Sequence, residues 1–399
     1  MSLNHGPNRN QEGLVFHYDM DNQQKSWLGK PTVNIVNTNT PISGMSGITL
    51  TYIRDEGPYR KYSISGTFSG GTYPYTMHLI PSAPFTGGVK YTSRLTIKTN
   101  VEHKFNTFAV IGLSYVNAPL TDIGTNFSTR NSDGSLSIGR IGFSYTSTST
   151  QLGYLYTNPI NGTTFNPSTD FIWIKDFQIE QGSYPTRLVI GTRSNIQAII
   201  DLTGNNVISA SNISFNQDDT FYFNGTTDKI SIIIPDNYKT VTNDTNRSWE
   251  VIAIPNSTLT TAGIFGTSYT DGCTYFCNGG IAIWGGTYRF GWYNGSSYLW
   301  LDSGVTATAN VPVHIVATWN KADYKPRIYV NGVLKAIYGS ATNLNFYNTQ
   351  SLYQIGYLSG AGDRFSGKIP VVRNYFNKAL TDQEISLNYE SYKSRIIFF

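Results

Sequence analysis

Polar and apolar residues alternate along most of this 399-residue chain, in short runs broken by Gly, Asn, Asp and Pro. A period of two puts successive side chains on opposite faces, so each run predicts a strand with one buried and one wet face. Tyr91-Thr-Ser-Arg-Leu-Thr-Ile-Lys98 is the plainest instance. A first series of strands is predicted at Tyr62–Phe68, Tyr75–Ile80, Lys90–Lys98, Ala109–Tyr115, Gly139–Ser144 and Phe171–Glu180. Pro- and Gly-bearing loops such as Pro81-Ser-Ala-Pro84 and Asn131-Ser-Asp-Gly134 separate them. A second series opens near Ile196 and includes Asp228–Ile234, Trp249–Ile254, Tyr288–Tyr293, and His314–Trp319 paired with Arg327–Leu334. Within the last, Asn331-Gly332 is the two-residue turn that closes a hairpin most readily. At the other end of the chain, Leu14, Phe16 and Tyr18 share one face of a strand. One helix is predicted near the C-terminus. Thr381 and Glu384 stand at capping-box spacing, and Ile385, Tyr389 and Tyr392 follow at helical intervals.

Composition supports the β reading and narrows the partners. Aromatic residues match charged ones at 14% each, so solubility rests on Asn, Ser, Thr and Tyr rather than on charge. Such a surface suits uncharged polar ligands such as glycans, and equally suits packing into an assembly. The net charge is only +4 and no Lys/Arg block occurs, so nucleic acid is not an expected partner. No apolar run approaches the ~20 residues of a membrane helix, so no membrane partner is expected. The Met1-Ser-Leu-Asn-His-Gly-Pro7 opening lacks the basic and apolar regions of a secretory signal. Cys273 and Cys277 form a Cys-x3-Cys pair without the further ligands that zinc requires. Free structural thiols and a local disulfide both remain open for them.

Candidate chemistry is sparse. Retaining glycosidases need two carboxyl groups roughly 5–5.5 Å apart, which alternation on one strand could provide. The glutamates, however, are scattered at 12, 56, 102, 180, 250, 384 and 390. Asp176 and Glu180 belong to a strand and read as structural, and His17 and His314 read as packed or hydrogen-bonded strand residues. No nucleophile elbow, His-Glu-x-x-His or phosphate loop is present. The expectation is therefore a protein that binds or builds, with no catalytic residue. For sugar binding, aromatic faces with polar tips are the usual device. Trp284, Tyr288, Trp292, Tyr293 and Tyr298 crowd around two turns, with Trp300 close behind, and are the candidates. Alternation must still send about half of them into the core.

Several segments resemble one family in the right order. Phe223-Asn-Gly-Thr-Thr-Asp-Lys-Ile230, Trp249-Glu-Val251 and His314–Trp319 resemble successive strands of laminin-G-like, concanavalin-A-like jelly rolls. Ile328-Tyr-Val-Asn-Gly-Val333, Phe365-Ser-Gly-Lys-Ile369 and Ala379–Glu384 resemble the end of that fold. Its opening is split here. Gly13-Leu-Val-Phe-His-Tyr-Asp19 resembles the first strand, but the matching Asp201-Leu-Thr-Gly-Asn-Asn206 comes long afterwards. What intervenes resembles a carbohydrate-binding-module-like sandwich.

The resemblance implies an all-β chain of two antiparallel β-sandwiches, or jelly rolls. Residues 1–12 would be an arm and 13–31 the first strand of a discontinuous laminin-G-like domain. Residues 32–193 would be the inserted sandwich, and 194–399 the rest of the first domain with its short helix. A jelly roll interrupted by another is similar to bacteriophage virion proteins, which implies a structural component of a virion such as a fibre, collar, tail-tip or capsid-surface protein. Other virion proteins and a host-surface glycan would be its partners, and a homo-oligomer, such as a trimer, its state. A bacterial lectin is the alternative, and a polysaccharide-degrading enzyme the third reading. The family also implies calcium as the one cofactor to weigh, with Asp19, Asp21 and Asp201 as oxygen donors. From sequence, these three read first as turn residues making Asx hydrogen bonds.

Overall fold

A computed structural model describes residues 12–20, 26, 28, 31–34, 47–69, 75–79, 86–113, 120–122, 125–145, 153–182, 188–189, 192–211, 213, 222–233, 245–268, 279–344, 352–357 and 364–396. Asp21, Cys273, Cys277 and the arm up to residue 11 lie outside them. The fold is all-β. The chain divides into two compact units. One comprises Met1–Lys30, Asn195–Asn216 and Thr220–Phe399, and the other Pro31–Ser194 with Gln217–Asp219.

The discontinuous unit is built from two antiparallel sheets. Among the described residues, one runs in the order Leu14–Asp19, Ser366–Phe376, Arg247–Pro255, Val313–Asn320, Lys325–Val330, Val333–Ile337, with Phe223–Asn224 also on Ser366–Phe376. The other runs Ile230–Ile233, Leu352–Ile355, Thr261–Ser268, Gly280–Trp284, Thr287–Tyr293, Tyr298–Thr306. The N-terminal strand thus pairs with the last strand of the chain, His17 opposite Arg373. Gly13 permits the close approach. Its φ is +69°, and a Cβ there would meet the Phe376 carbonyl oxygen at 2.4 Å.

Alternation explains the core between these sheets. Phe16, Tyr18, Trp249, Val251, Phe290, Trp292, Trp319 and Val372 all point inward and are buried. Each such side chain contributes roughly 1.5–3 kcal/mol by leaving water. The hairpin turn at Asn331-Gly332 forms as the sequence predicts, with φ of 52° and 77°. Asn331 also accepts a bond from the His314 amide at 3.0 Å, which ties the turn to the neighbouring strand.

Asp382–Ile396 is the C-terminal helix. Its capping box is reciprocal: the Thr381 amide donates to Glu384 Oε2 at 2.8 Å, and the Glu384 amide to Thr381 Oγ1 at 3.3 Å. Ile385, Asn388 and Tyr392, three and four residues apart, form its buried side.

In the other unit, the described residues form an eight-stranded sheet centred on Tyr59–Thr67, Phe171–Gln181, Lys90–Thr99 and Leu136–Tyr145. A three-stranded sheet joins Tyr75–Leu79, Gly153–Pro159 and Phe105–Leu113. Its core gathers Ile64, Leu95, Ile97, Ile138, Phe165, Ile172 and Ile174. Where this unit begins and ends, Thr32–Val33 pairs with Thr192–Arg193.

Candidate functional site

The candidate aromatic residues separate by strand parity. On Thr287–Tyr293, the even positions Tyr288, Phe290 and Trp292 face the core, and Tyr288 and Trp292 are fully buried. Trp292 stacks on Phe290 with centroids 5.6 Å apart, and burial pushes the Tyr288 phenol well above its ordinary range. Neither can offer a ring face to a sugar, so the sequence candidates Tyr288 and Trp292 are core residues.

Odd positions face solvent. Thr287, Arg289 and Tyr293 are half-buried, as are Trp284, Tyr298 and Trp300 on the flanking strands. Trp284 and Trp300 stack at 5.2 Å with 29° between their planes. The cross-strand neighbour of Trp300 is Gly291, and beyond it Gly280, neither of which has a side chain to crowd the indole. Tyr293 and Tyr298 meet at 5.0 Å across the next turn. Two hairpins present these rings. The first turns through Gly285-Gly286, with φ of 61° and 77°. In the second, Asn294 Oδ1 accepts the Ser296 and Ser297 amides at 2.9 and 2.8 Å.

Polar groups lie in the same patch. Arg289 Nη2 meets Asp302 Oδ2 at 2.8 Å across the ladder, and Arg289 Nε donates to Thr287 Oγ1 at 3.2 Å. Asp302 Oδ1 accepts the Gly304 amide at 2.8 Å. An aromatic pair beside a fixed donor and a fixed acceptor can hold the apolar face of a pyranose while bonding its hydroxyls. Arg289 and Asp302 are not singled out by sequence reasoning. The signal that could have found them is the register of two adjacent hairpins, which sets Arg289 opposite Asp302.

The calcium candidates behave differently. Asp201 Oδ1 accepts the amides of His17 at 2.9 Å and Thr203 at 3.1 Å. Its Oδ2 accepts from the Thr203 hydroxyl at 2.7 Å, and from the Asn206 amide and side-chain nitrogen at 3.0 and 2.7 Å. Donor hydrogens, rather than further oxygens, surround this carboxylate, so the residues present do not fit calcium there. Asp201 anchors the turn to the first strand. Asp19 is buried, with its amide donating to Ser26 Oγ at 3.0 Å. Among the described residues, no group of three or more His, Cys, Asp or Glu is placed to hold a metal ion.

A second polar cluster lies on the outer side of the other sheet, under the C-terminal helix. Glu250, His314 and Arg373 lie on three adjacent strands, Glu250 directly opposite Arg373 and diagonal to His314, and all are buried. Glu250 Oε1 is 2.9 Å from His314 Nε2, and its Oε2 accepts from the Tyr375 hydroxyl at 2.9 Å. Asn388 of the helix donates to the same oxygen at 3.1 Å, and Arg373 Nη1 approaches to 3.5 Å. Burial alone would raise the Glu250 carboxyl. The Arg373 charge, with the His314 and Tyr375 hydrogen bonds, instead holds it at about 2.

Residues 224–386 match the Concanavalin A-like lectin/glucanases superfamily, and form a domain of that type. No curated protein matches the chain. Among solved structures, the chain is similar to the binding domain of botulinum neurotoxin DC in complex with rat synaptotagmin II. The identity is 14%, the TM-score 0.37, and 50% of each chain is covered. A botulinum neurotoxin type C structure concerned with two ganglioside molecules gives 16%, 0.37 and 50% of each chain. The botulinum neurotoxin serotype G binding domain gives 16% and 0.37, covering 49% of this chain and 48% of that one. This chain therefore spans about half the length of each.

Proposed function

We propose that this chain is a glycan-binding adhesion protein without catalytic activity, and that its sugar site is the open aromatic patch of the concanavalin-A-like unit. The observation that carries this reading is the stacked Trp284–Trp300 pair beside the Arg289–Asp302 ion pair, on a sheet face that no helix covers among the described residues. The lectin-type family match over 224–386 supports it. The non-catalytic part is supported by Glu250, which is sealed under a helix and engaged by three hydrogen-bonding neighbours, Tyr375, His314 and Asn388. Screening the full chain against a neutral glycan panel tests the reading. Saturable binding that Trp300→Ala abolishes is expected; binding indifferent to Trp300→Ala and Trp284→Ala would overturn it.

The finer reading is that this adhesion protein is a structural component of a bacteriophage virion, located in the particle and homo-oligomeric. Its support is the sequence resemblance of a jelly roll interrupted by a second sandwich. Co-sedimentation of the chain with particles is its test, and a chain that never sediments with them would overturn it.

A further inference from the structure

The other unit carries a separate constellation on the outer face of its eight-stranded sheet. Three strands place Lys61, Trp173 and Lys98 in one cross-strand row, Trp173 facing Lys61 on one side and Lys98 on the other. Arg54 extends the row on a fourth strand, opposite Lys61. Beside the row, two ammonium groups converge on a single ring: Lys98 Nζ lies 4.3 Å, and Lys175 Nζ 4.6 Å, from the centroid of Tyr59.

The carboxylates nearby offset that convergence only in part, and do so on the Lys175 side. Glu56 is occupied by the Trp173 indole at 2.8 Å, by Lys61 at 3.0 Å and by Arg54 at 2.6 Å. Asp133 accepts the Tyr59 hydroxyl at 3.0 Å and a bond from Ser135. Asp176 pairs with Lys175 at 3.9 Å, whereas Lys98 has no ion pair among the described residues. Two like charges over one ring repel each other, while the ring itself attracts both. An anion seated between them would relieve the repulsion and add charge-assisted hydrogen bonds.

We propose that this face binds acidic polysaccharide, with a sugar carboxylate drawn to Lys98 and Lys175 at the Tyr59 ring. Nucleic acid fits less well. Duplex DNA carries a charge every ~1.7 Å of its axis and needs a dense cationic track. Here four cations are interleaved with Glu56, Asp133 and Asp176. The site is distinct from the Trp284–Trp300 patch in residues, unit and ligand charge, and it does not depend on that patch binding anything.

Affinity electrophoresis of the full chain through gels containing polygalacturonate, or dextran as the neutral control, tests the proposal. Polygalacturonate should retard the chain. The Lys98→Gln/Lys175→Gln double substitution should weaken that retardation roughly tenfold or more, the scale of charge-assisted contacts. Salt raised from ~0.1 to ~1 M should do the same, by shortening the screening length from ~10 to ~3 Å. Trp300→Ala should leave it unchanged. A double variant that fails to melt cooperatively is replaced by Lys98→Gln alone. Absence of retardation at low salt would overturn the proposal, as would retardation that survives the lysine substitutions. Stronger displacement by duplex DNA than by polygalacturonate would overturn it in favour of a nucleic-acid surface.

Discussion

The two outer faces of the concanavalin-A-like unit are made from the same kind of antiparallel sheet, yet they do opposite things with their polar residues. One face lies beneath the C-terminal helix and encloses Glu250, His314 and Arg373 with essentially no exposure. The other stays open among the described residues and displays half-buried Trp284, Trp300, Tyr293 and Tyr298 around the Arg289–Asp302 pair. A cover decides which chemistry each face can support. Under the helix, charges interact strongly because water is excluded, but each must find a partner. On the open face the ion pair is screened and contributes little to stability, which leaves it available for recognition.

Glu250→Ala should break the comparison most severely. It strands Arg373 and His314 in the interior, and a loss of about 3–5 kcal/mol is expected in a denaturant titration. A variant within about 1 kcal/mol of the parent would mean that the covered cluster is not a structural element. Acid gives the next effect. The Glu250 carboxyl is held at about 2 in the folded chain, below its ordinary unfolded value, so its contribution is complete above that unfolded value and is lost as pH falls toward 2. The melting temperature should drop across that window, and Glu250→Gln should flatten the part of the drop that belongs to this carboxyl.

Thr381→Ala comes third. It removes one arm of the capping box that starts the covering helix, and about 1 kcal/mol is expected from thermal melts. Smallest in stability is Trp300→Ala, on the open face, at roughly 0.5 kcal/mol or less as for a surface site. Its effect should appear in glycan binding instead. A Trp300→Ala loss as large as that of Glu250→Ala would erase the distinction between the two faces.

Much of the architecture was legible because apolar residues recur at a period of two, even in Lys90–Thr99, where the expected wet face is in fact covered and Thr92 and Thr96 are buried. Lys90–Lys98 and Phe171–Glu180 end within a residue or so of the observed Lys90–Thr99 and Phe171–Gln181. Asn331-Gly332 and the Thr381/Glu384 box were readable because their chemistry is local. Ile48–Glu56 was not predicted, and its burial pattern explains why: after Leu50 its side chains are almost all exposed, so no apolar period marks it. The candidate site was half legible. Aromatic content around the two turns pointed to the hairpins that carry the Trp284–Trp300 pair, but parity alone could not say which set faced inward until the register was known. The Glu250 cluster was invisible for a different reason, since its members come from three strands and a helix far apart in sequence.

The paired segments Thr32–Val33 and Thr192–Arg193 carry one last consequence. Just outside them the flanking chain is also joined, the Leu28 amide to the Ala198 carbonyl at 2.9 Å and Ser26 Oγ to the Ile200 carbonyl at 2.8 Å. A polypeptide that leaves and re-enters at one point treats everything between as a cassette. Exchange of the intervening sandwich for another would then leave the surrounding jelly roll with every strand it has.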